Sequence, residues 1–67
     1  MMNFDFIGLG DAVYALKKQG VAIKAGHAAM SINALDEDGS IRVRLPISEI
    51  DGMSYVSLND FNRAMEH

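Results

Sequence analysis

Two stretches of alternating apolar and polar residues, separated by an acidic turn, constrain the fold of this chain more than any other feature. Every second residue is apolar from 30 to 34 and again from 41 to 45, and Asp36–Gly39 lies between the two stretches. Period-two alternation on both sides of a turn that contains glycine is typical of a β-hairpin. We therefore predict a central hairpin over residues 29–45, with a loop from Asp36 to Gly39.

The predicted loop determines which residues face each other across the hairpin. Ser31, Asn33, Arg42 and Arg44 share one face, which we expect to be exposed. A shift of register by one residue would turn both arginines into the core, so the alternation specifies the pairing. The six apolar residues share the other face, in the pairs Ala34 with Ile41, Ile32 with Val43, and Met30 with Leu45.

Helical patterns lie on both sides of the hairpin. Residues 9–19 carry an apolar stripe at i, i+3, i+4 and i+7, and Gly20 is suited to end that helix. Ser57 and Asp60 have capping-box spacing at the start of a second helix. We predict one α+β domain over residues 1–67: an N-terminal helix, an antiparallel sheet of three to four short strands, and a C-terminal helix.

Short strands complete the predicted sheet. Residues 21–24 alternate before the hairpin, and residues 4–6 have the same pattern near the start of the chain. Pro46 is expected to end or interrupt the second hairpin strand, because proline donates no ladder hydrogen bond. A further strand is expected over 47–50, and Asp51-Gly52 is a strong two-residue turn signal before the strand that returns over 53–56.

Chain length and composition favour a protein that assembles with itself. A chain of 67 residues buries only about 60% of its unfolded surface, so its own core is marginal. The sequence has no cysteine, and its two histidines do not suffice for a structural zinc site. We therefore expect a homo-oligomer, either a dimer or a tetramer, with no cofactor and no metal. A monomer with an unusually good core is the alternative.

Charge and hydropathy narrow the possible partners. The formal net charge of −3 argues against a general nucleic-acid binder, since such domains usually carry a basic surplus. No apolar run approaches the roughly 20 residues of a membrane span, and the first residues lack the basic start of a signal peptide. We expect a cytoplasmic protein with no membrane partner.

The candidate site residues are basic or aromatic. Arg42 and Arg44, with Lys24 beside them, are expected to form a basic stripe that holds an anionic group. A solvated sheet face is the alternative for these three residues. His27, in a turn between strands, and Tyr14, off the apolar stripe of the first helix, are further candidates for partner contacts. No catalytic or metal-binding motif is present, and the acidic loop lacks carboxylates at the first and last positions of a calcium loop.

The first third of the chain resembles the opening of a known family. The resemblance comes from Met2-Asn3-Phe4, from the Asp11–Lys18 helix followed by Gly20 and Val21, and from Lys24-Ala25-Gly26-His27. Residues 2–27 are similar in this respect to a phage-encoded family that counters the Thoeris defence system by sequestering nucleotide signals. The resemblance implies a small antiparallel α+β protein that oligomerises and binds a ligand rather than catalysing a reaction.

Three functional hypotheses follow from the sequence. The first is a non-enzymatic binding protein from a phage or mobile element, which inhibits or sequesters a host protein or a small anionic signal molecule. The second is a small DNA-binding transcriptional regulator that uses the arginines or the C-terminal helix with Asn59, Asn62 and Arg63. The third is an accessory subunit of an enzyme, with a site shared between subunits.

Overall fold

Five antiparallel strands form one sheet, and two helices pack on one of its faces. The computed structural model describes residues 5–66, so the predictions for residues 1–4 lie outside the described residues. The strand order across the sheet is β1-β5-β4-β3-β2. Along the chain the elements are β1 (Phe6–Gly8), α1 (Leu9–Lys18), β2 (Ala22–Ala25), β3 (Ser31–Leu35), β4 (Ile41–Ile50), β5 (Met53–Ser57) and α2 (Leu58–Met65).

The α+β class is confirmed, and two details of the predicted architecture are wrong. The sheet has five strands rather than three to four, and the strand β1 precedes the first helix. β1 pairs with β5, which is the last strand of the chain, so it extends the sheet at the far edge from β2. The sequence predicted a short strand over residues 4–6, which overlaps β1 only at Phe6, and the pairing with β5 sets the bounds of the strand at Phe6–Gly8.

Local sequence signals explain where α1 ends. Gly20 has a φ of +81°, which glycine adopts without steric cost. Its N–H donates to the Lys17 carbonyl, and the next N–H, of Val21, donates to the Leu16 carbonyl. These two bonds form a Schellman motif, and the buried side chains of Leu16 and Val21 supply its apolar contact.

The start of α2 is capped as its sequence predicts. The Ser57 hydroxyl accepts a hydrogen bond from the Asp60 N–H at 3.3 Å. Asp51 and Gly52 likewise form the predicted tight turn between β4 and β5, with φ angles of +52° and +77°.

Neither of the helices described between residues 5 and 66 is long and apolar enough to cross a membrane.

The core lies between the helices and one face of the sheet. Leu16 of α1, Leu45 of β4 and Val56 of β5 are its largest fully buried apolar side chains. Three of the nine buried apolar residues are alanines, so the core is small even for this chain length. The complete set is Ala12, Leu16, Val21, Ile32, Ala34, Val43, Leu45, Val56 and Ala64.

The central hairpin forms, but its predicted register is wrong by two residues. Ile32 pairs with Leu45 and Ala34 with Val43, whereas Leu35 pairs with Ile41. A shift by two keeps Ile32, Ala34, Val43 and Leu45 together on the predicted inner face, and all four are buried. Ser31 and Asn33 keep the opposite face, but they are buried rather than exposed as predicted. Met30 and Ile41 do not join the core, and they are 67% and 59% exposed.

The loop of this hairpin explains the shift. It has five residues, because the Asp36 N–H donates to the Ser40 carbonyl and the first strand pair is Leu35 with Ile41. The ladder is irregular between Ala34 and Leu35, where Ile41 and Arg42 together face Leu35 in a β-bulge. The bulge interrupts the alternation of β4.

Pro46 does not end β4, which continues without a break to Ile50. The Ile47 N–H donates to the Met30 carbonyl on the β3 side of the strand. Successive amides point in opposite directions, so the Pro46 nitrogen faces the β5 side. The last pair there is Ile47 with Val56, and the proline lies one residue beyond it, where a missing N–H breaks no ladder bond.

Candidate functional site

The face of the sheet opposite the helices is the candidate functional surface. Both helices pack against the buried core on the other side, so neither covers this face, which we call the open face. Cross-strand pairing and alternation define its members. They are Phe6, Gly8, Ala22, Lys24, Ser31, Asn33, Leu35, Ile41, Arg44, Pro46, Ser48, Ile50, Met53, Tyr55 and Ser57.

The charge on the open face is the reverse of the charge on the whole chain. Among these strand positions Lys24 and Arg44 are the charged residues, and both are cations. The full sequence carries nine acidic residues and a net charge of −3. The strand carboxylate of β4, Glu49, points to the other face, where it accepts a hydrogen bond from Ser54.

Lys24, Asn33 and Arg44 form a row across three adjacent strands, and we call it the basic row. Asn33 of β3 pairs with Lys24 on one side and with Arg44 on the other. Neighbouring strands are about 4.8 Å apart, so the two cationic residues are anchored about 10 Å from each other. Both side chains are exposed, and neither forms an ion pair within residues 5–66.

Asn33 is buried although no helix covers it. Its exposure is 8%, and its Oδ1 has no hydrogen-bond partner among residues 5–66. Because the open face carries no helix, the cover comes from the neighbouring side chains, and the two flanking residues are the long Lys24 and Arg44. An unpaired buried amide oxygen costs roughly 1–3 kcal/mol. A ligand that combines negative charge with an N–H or O–H donor would satisfy all three members of the basic row.

Arg42 does not belong to the basic row, and the prediction that it shares a face with Arg44 is wrong. The bulge turns it toward the helix layer, where its Nη2 donates a hydrogen bond to the Ala64 carbonyl of α2. Its Nη1 lies 3.6 Å from the Asp36 carboxylate. The guanidinium therefore connects the hairpin loop to the last turn of α2, which is a structural role.

The remaining sequence candidates lie apart from the basic row. Tyr14 is 68% exposed on α1, with the Lys18 ammonium 5.7 Å from the centre of its ring. His27 is exposed in the turn between β2 and β3, just before two alanines that both have a φ of +56°. Left-handed backbone is unfavourable for alanine, so this turn is strained.

The basic row lies outside both the largest groove and the α2 cavity formed by residues 5–66. A groove of about 750 Å³ lies between the Gly20–Ala22 connection and the acidic hairpin loop, and Arg42 lines it. Within that loop the Ser40 hydroxyl and N–H both donate to Asp38, and these bonds lower the pKa of the Asp38 carboxyl. Within residues 5–66, no three His, Asp or Glu side chains gather closely enough to hold a metal ion.

The α2 surface offers little for DNA. Asn59, Asn62 and Arg63 are exposed there, as the DNA-binding hypothesis requires. Arg63 is however paired with Asp60 at 3.2 Å, and Asp5 borders the same shallow cavity as the two asparagines. Carboxylates beside a single arginine do not produce the positive surface that binds phosphates.

Sequence reasoning found Lys24 and Arg44 but missed Asn33 as a member of the site. The alternation of the hairpin puts Asn33 and Arg44 on one face, yet it gives no register for β2 and therefore no reason to place Lys24 opposite Asn33. Comparison with known protein families, with curated proteins and with solved structures gives no significant match to this chain.

Proposed function

We propose that this chain is a non-enzymatic binding protein that holds an anionic host component on the basic row of its open face. It acts by occupying that component, as an inhibitor or a sequestering protein encoded by a phage or mobile element does in the host cytoplasm. The observation that carries the proposal is the unpaired cationic pair, Lys24 and Arg44, on a sheet face without a strand carboxylate.

A small anionic molecule fits this surface better than an extended one. The two cations are anchored about 10 Å apart, which is the width of a phosphate-bearing molecule rather than of a long charged track. Arginine binds phosphate or carboxylate through two parallel N–H donors, and lysine adds a flexible point charge. The unpaired Asn33 oxygen adds selectivity for a ligand that also carries a donor.

The test is a titration of the isotope-labelled protein with phosphate-bearing probes, followed by two-dimensional NMR. The probes are inorganic phosphate, pyrophosphate, which carries more negative charge, and adenosine monophosphate, which adds N–H and O–H donors. We expect amide shifts centred on 24, 33 and 44, and affinity that falls as salt rises. Shifts confined to other surfaces, or no shifts with any probe at low salt, contradict the proposal.

A matched pair of variants separates the site from net charge. Lys24→Ala with Arg44→Ala removes two positive charges from the basic row, and we expect at least a tenfold loss of affinity. Lys17→Ala with Lys18→Ala removes the same charge from exposed positions of α1, and we expect unchanged binding. Charge reversal at Arg42 is unsuitable, because that side chain supports the fold.

A duplex-DNA titration discriminates the regulator hypothesis. Binding through phosphate contacts weakens steeply with salt, so retention on DNA at low salt with a steep salt slope would favour the regulator. We expect no retention, because the net charge of the chain is −3.

A further inference from the structure

The open face carries an apolar patch at the end that lies away from β2. The patch consists of Phe6, Ile50, Met53 and Tyr55, from the three adjacent strands β1, β4 and β5. Met53 is 61% exposed, and Phe6 and Ile50 are each 40% exposed. Gly8 lies opposite Tyr55, so no side chain of β1 stands across from the tyrosine ring. Contiguous exposed apolar groups of this kind mark interaction surfaces.

Along β4, a cation lies on one side of the patch and an anion lies on the other side. The patch itself contains no charged residue, and Arg44 of the basic row lies on the same strand toward the hairpin loop. Asp51 lies at the other end of β4, in the exposed turn that follows Ile50. The middle of β4, near Pro46 and Ser48, is uncharged on the open face.

We propose that this face is the interface of a homodimer, in which a second copy of the chain packs face to face with its β4 antiparallel to the first. A two-fold axis near the middle of β4 then places Ile50 and Asp51 of one copy over Arg44 of the other. Each contact occurs twice by symmetry, as an isologous interface requires. The layout is self-complementary, whereas parallel stacking would bring the two Arg44 side chains together.

The size of the face limits the strength of the dimer, and the small core favours a second copy as the occupant. A strand residue covers about 16 Å² of sheet, so the 27 strand residues give a flat footprint of about 430 Å² per copy. Two copies together bury about 860 Å² of this footprint, which is less than the roughly 1,200 Å² of the smallest stable interfaces, so we expect a weak, transient dimer. The core has nine buried apolar residues, and burial of the patch adds what so small a core lacks.

Sedimentation equilibrium of the wild-type protein between 5 μM and 1 mM tests the proposal. The mass is expected to rise from 7.3 kDa toward twice that value. Over the same range, concentration-dependent amide shifts should map to β4, β5 and β1. A wild-type protein that stays monomeric at 1 mM overturns the proposal and leaves the patch for a different protein.

Two matched lysine substitutions locate the interface. Met53→Lys introduces a cation where Arg44 of the second copy approaches, and we expect at least a tenfold weaker dimer. Tyr14→Lys changes a side chain of similar exposure, 68% against 61%, on the helix layer, and we expect no effect on the dimer. The reverse result would move the interface to α1 and overturn the proposal.

A cysteine cross-link keeps the test decisive if Met53→Lys unfolds the protein. The chain has no cysteine, so Ser48→Cys introduces a single thiol near the proposed two-fold axis. The two thiols would lie about 12 Å apart, because the facing sheets are about 10 Å apart and the residues are offset by about 7 Å along β4, which is too far for a direct disulfide. We therefore expect rapid dimer formation with a bis-maleimide reagent that spans this distance, and slow formation for a control Tyr14→Cys variant. Equal rates contradict the proposed face. Neither variant alters Lys24, Asn33 or Arg44. Because the proposed dimer covers Arg44, we expect anions to bind the monomer and to compete with dimer formation.

Discussion

Replacement of Arg42 by alanine should destabilise the fold through α2. The guanidinium donates to the Ala64 carbonyl in the last turn of that helix, where main-chain carbonyls lack partners within the helix. It also lies 3.6 Å from the Asp36 carboxylate. Ala64 is fully buried, so the substitution leaves its carbonyl without its donor at a part-buried position.

The structure sets the size of this effect. A hydrogen bond from a charged donor contributes about 1.5–3 kcal/mol to stability. The ion pair adds at most about 1 kcal/mol, because the Asp36 side chain is 46% exposed and solvent screens the pair. The Arg42 Nε is buried and has no hydrogen-bond partner in the described part of the chain, which offsets part of the gain. We therefore expect a loss of about 2 kcal/mol, or a fall in Tm of about 8–16 °C for a domain of this size.

Urea and thermal unfolding followed by circular dichroism measure the loss. Arg42→Met keeps much of the side-chain packing and removes the donors, so it should lose nearly as much stability as Arg42→Ala. Arg63→Ala is the matched control, because Arg63 is paired with Asp60 but is 55% exposed, and it should cost less than about 1 kcal/mol. If the Arg42 and Arg63 variants lose equal stability, the structural role given to Arg42 is wrong.

Three further predictions concern the turns and α1. Gly26→Ala should destabilise the fold by more than about 2 kcal/mol, since an added Cβ would lie 2.0 Å from the Ser31 Oγ and 3.2 Å from its carbonyl oxygen. Gly10→Ala, with nothing within 4 Å of the new Cβ, should stabilise by about 0.5 kcal/mol in the same unfolding assay. Ser40→Ala should raise the pKa of Asp38, measured by carboxyl NMR, because the largest cause of its lowering is the hydrogen bond from the Ser40 hydroxyl, which the substitution removes. The pKa of Asp38 is lower in the folded than in the unfolded protein, so its contribution to stability is present above the unfolded pKa and is lost as pH falls through the folded pKa. The Ser40→Ala variant should therefore lose less stability than the wild type over this acidic range.

The ends of the helices and the tight turn could be predicted because each depends on residues close together in the chain. Gly20 ends α1 through its positive φ, Ser57 caps α2, and Asp51-Gly52 turns β4 into β5. The burial of Ile32, Ala34, Val43 and Leu45 on one face of the hairpin was also predicted, because strand alternation survives a register shift of two residues. The faces predicted for Ile41 and Arg42 are wrong, because the bulge lies between them and Val43.

The composition of the candidate site depended on contacts distant in sequence. The pairing of β2 with β3 puts Lys24 opposite Asn33, and no local pattern specifies that register. The same is true of β1, whose bounds are set by its pairing with β5.

The amino-acid sequence alone therefore determined the α+β class, the helix limits and the buried side chains shared by the two hairpin strands, since short-range periodicity and capping decide them. Only the tertiary structure decided the five-residue loop, the bulge and the separation of Arg42 from Arg44. The reason is that an arginine side chain is more stable on the face where its guanidinium finds hydrogen-bond acceptors. For Arg42 these are Asp36 and the Ala64 carbonyl, which folding alone brings beside β4.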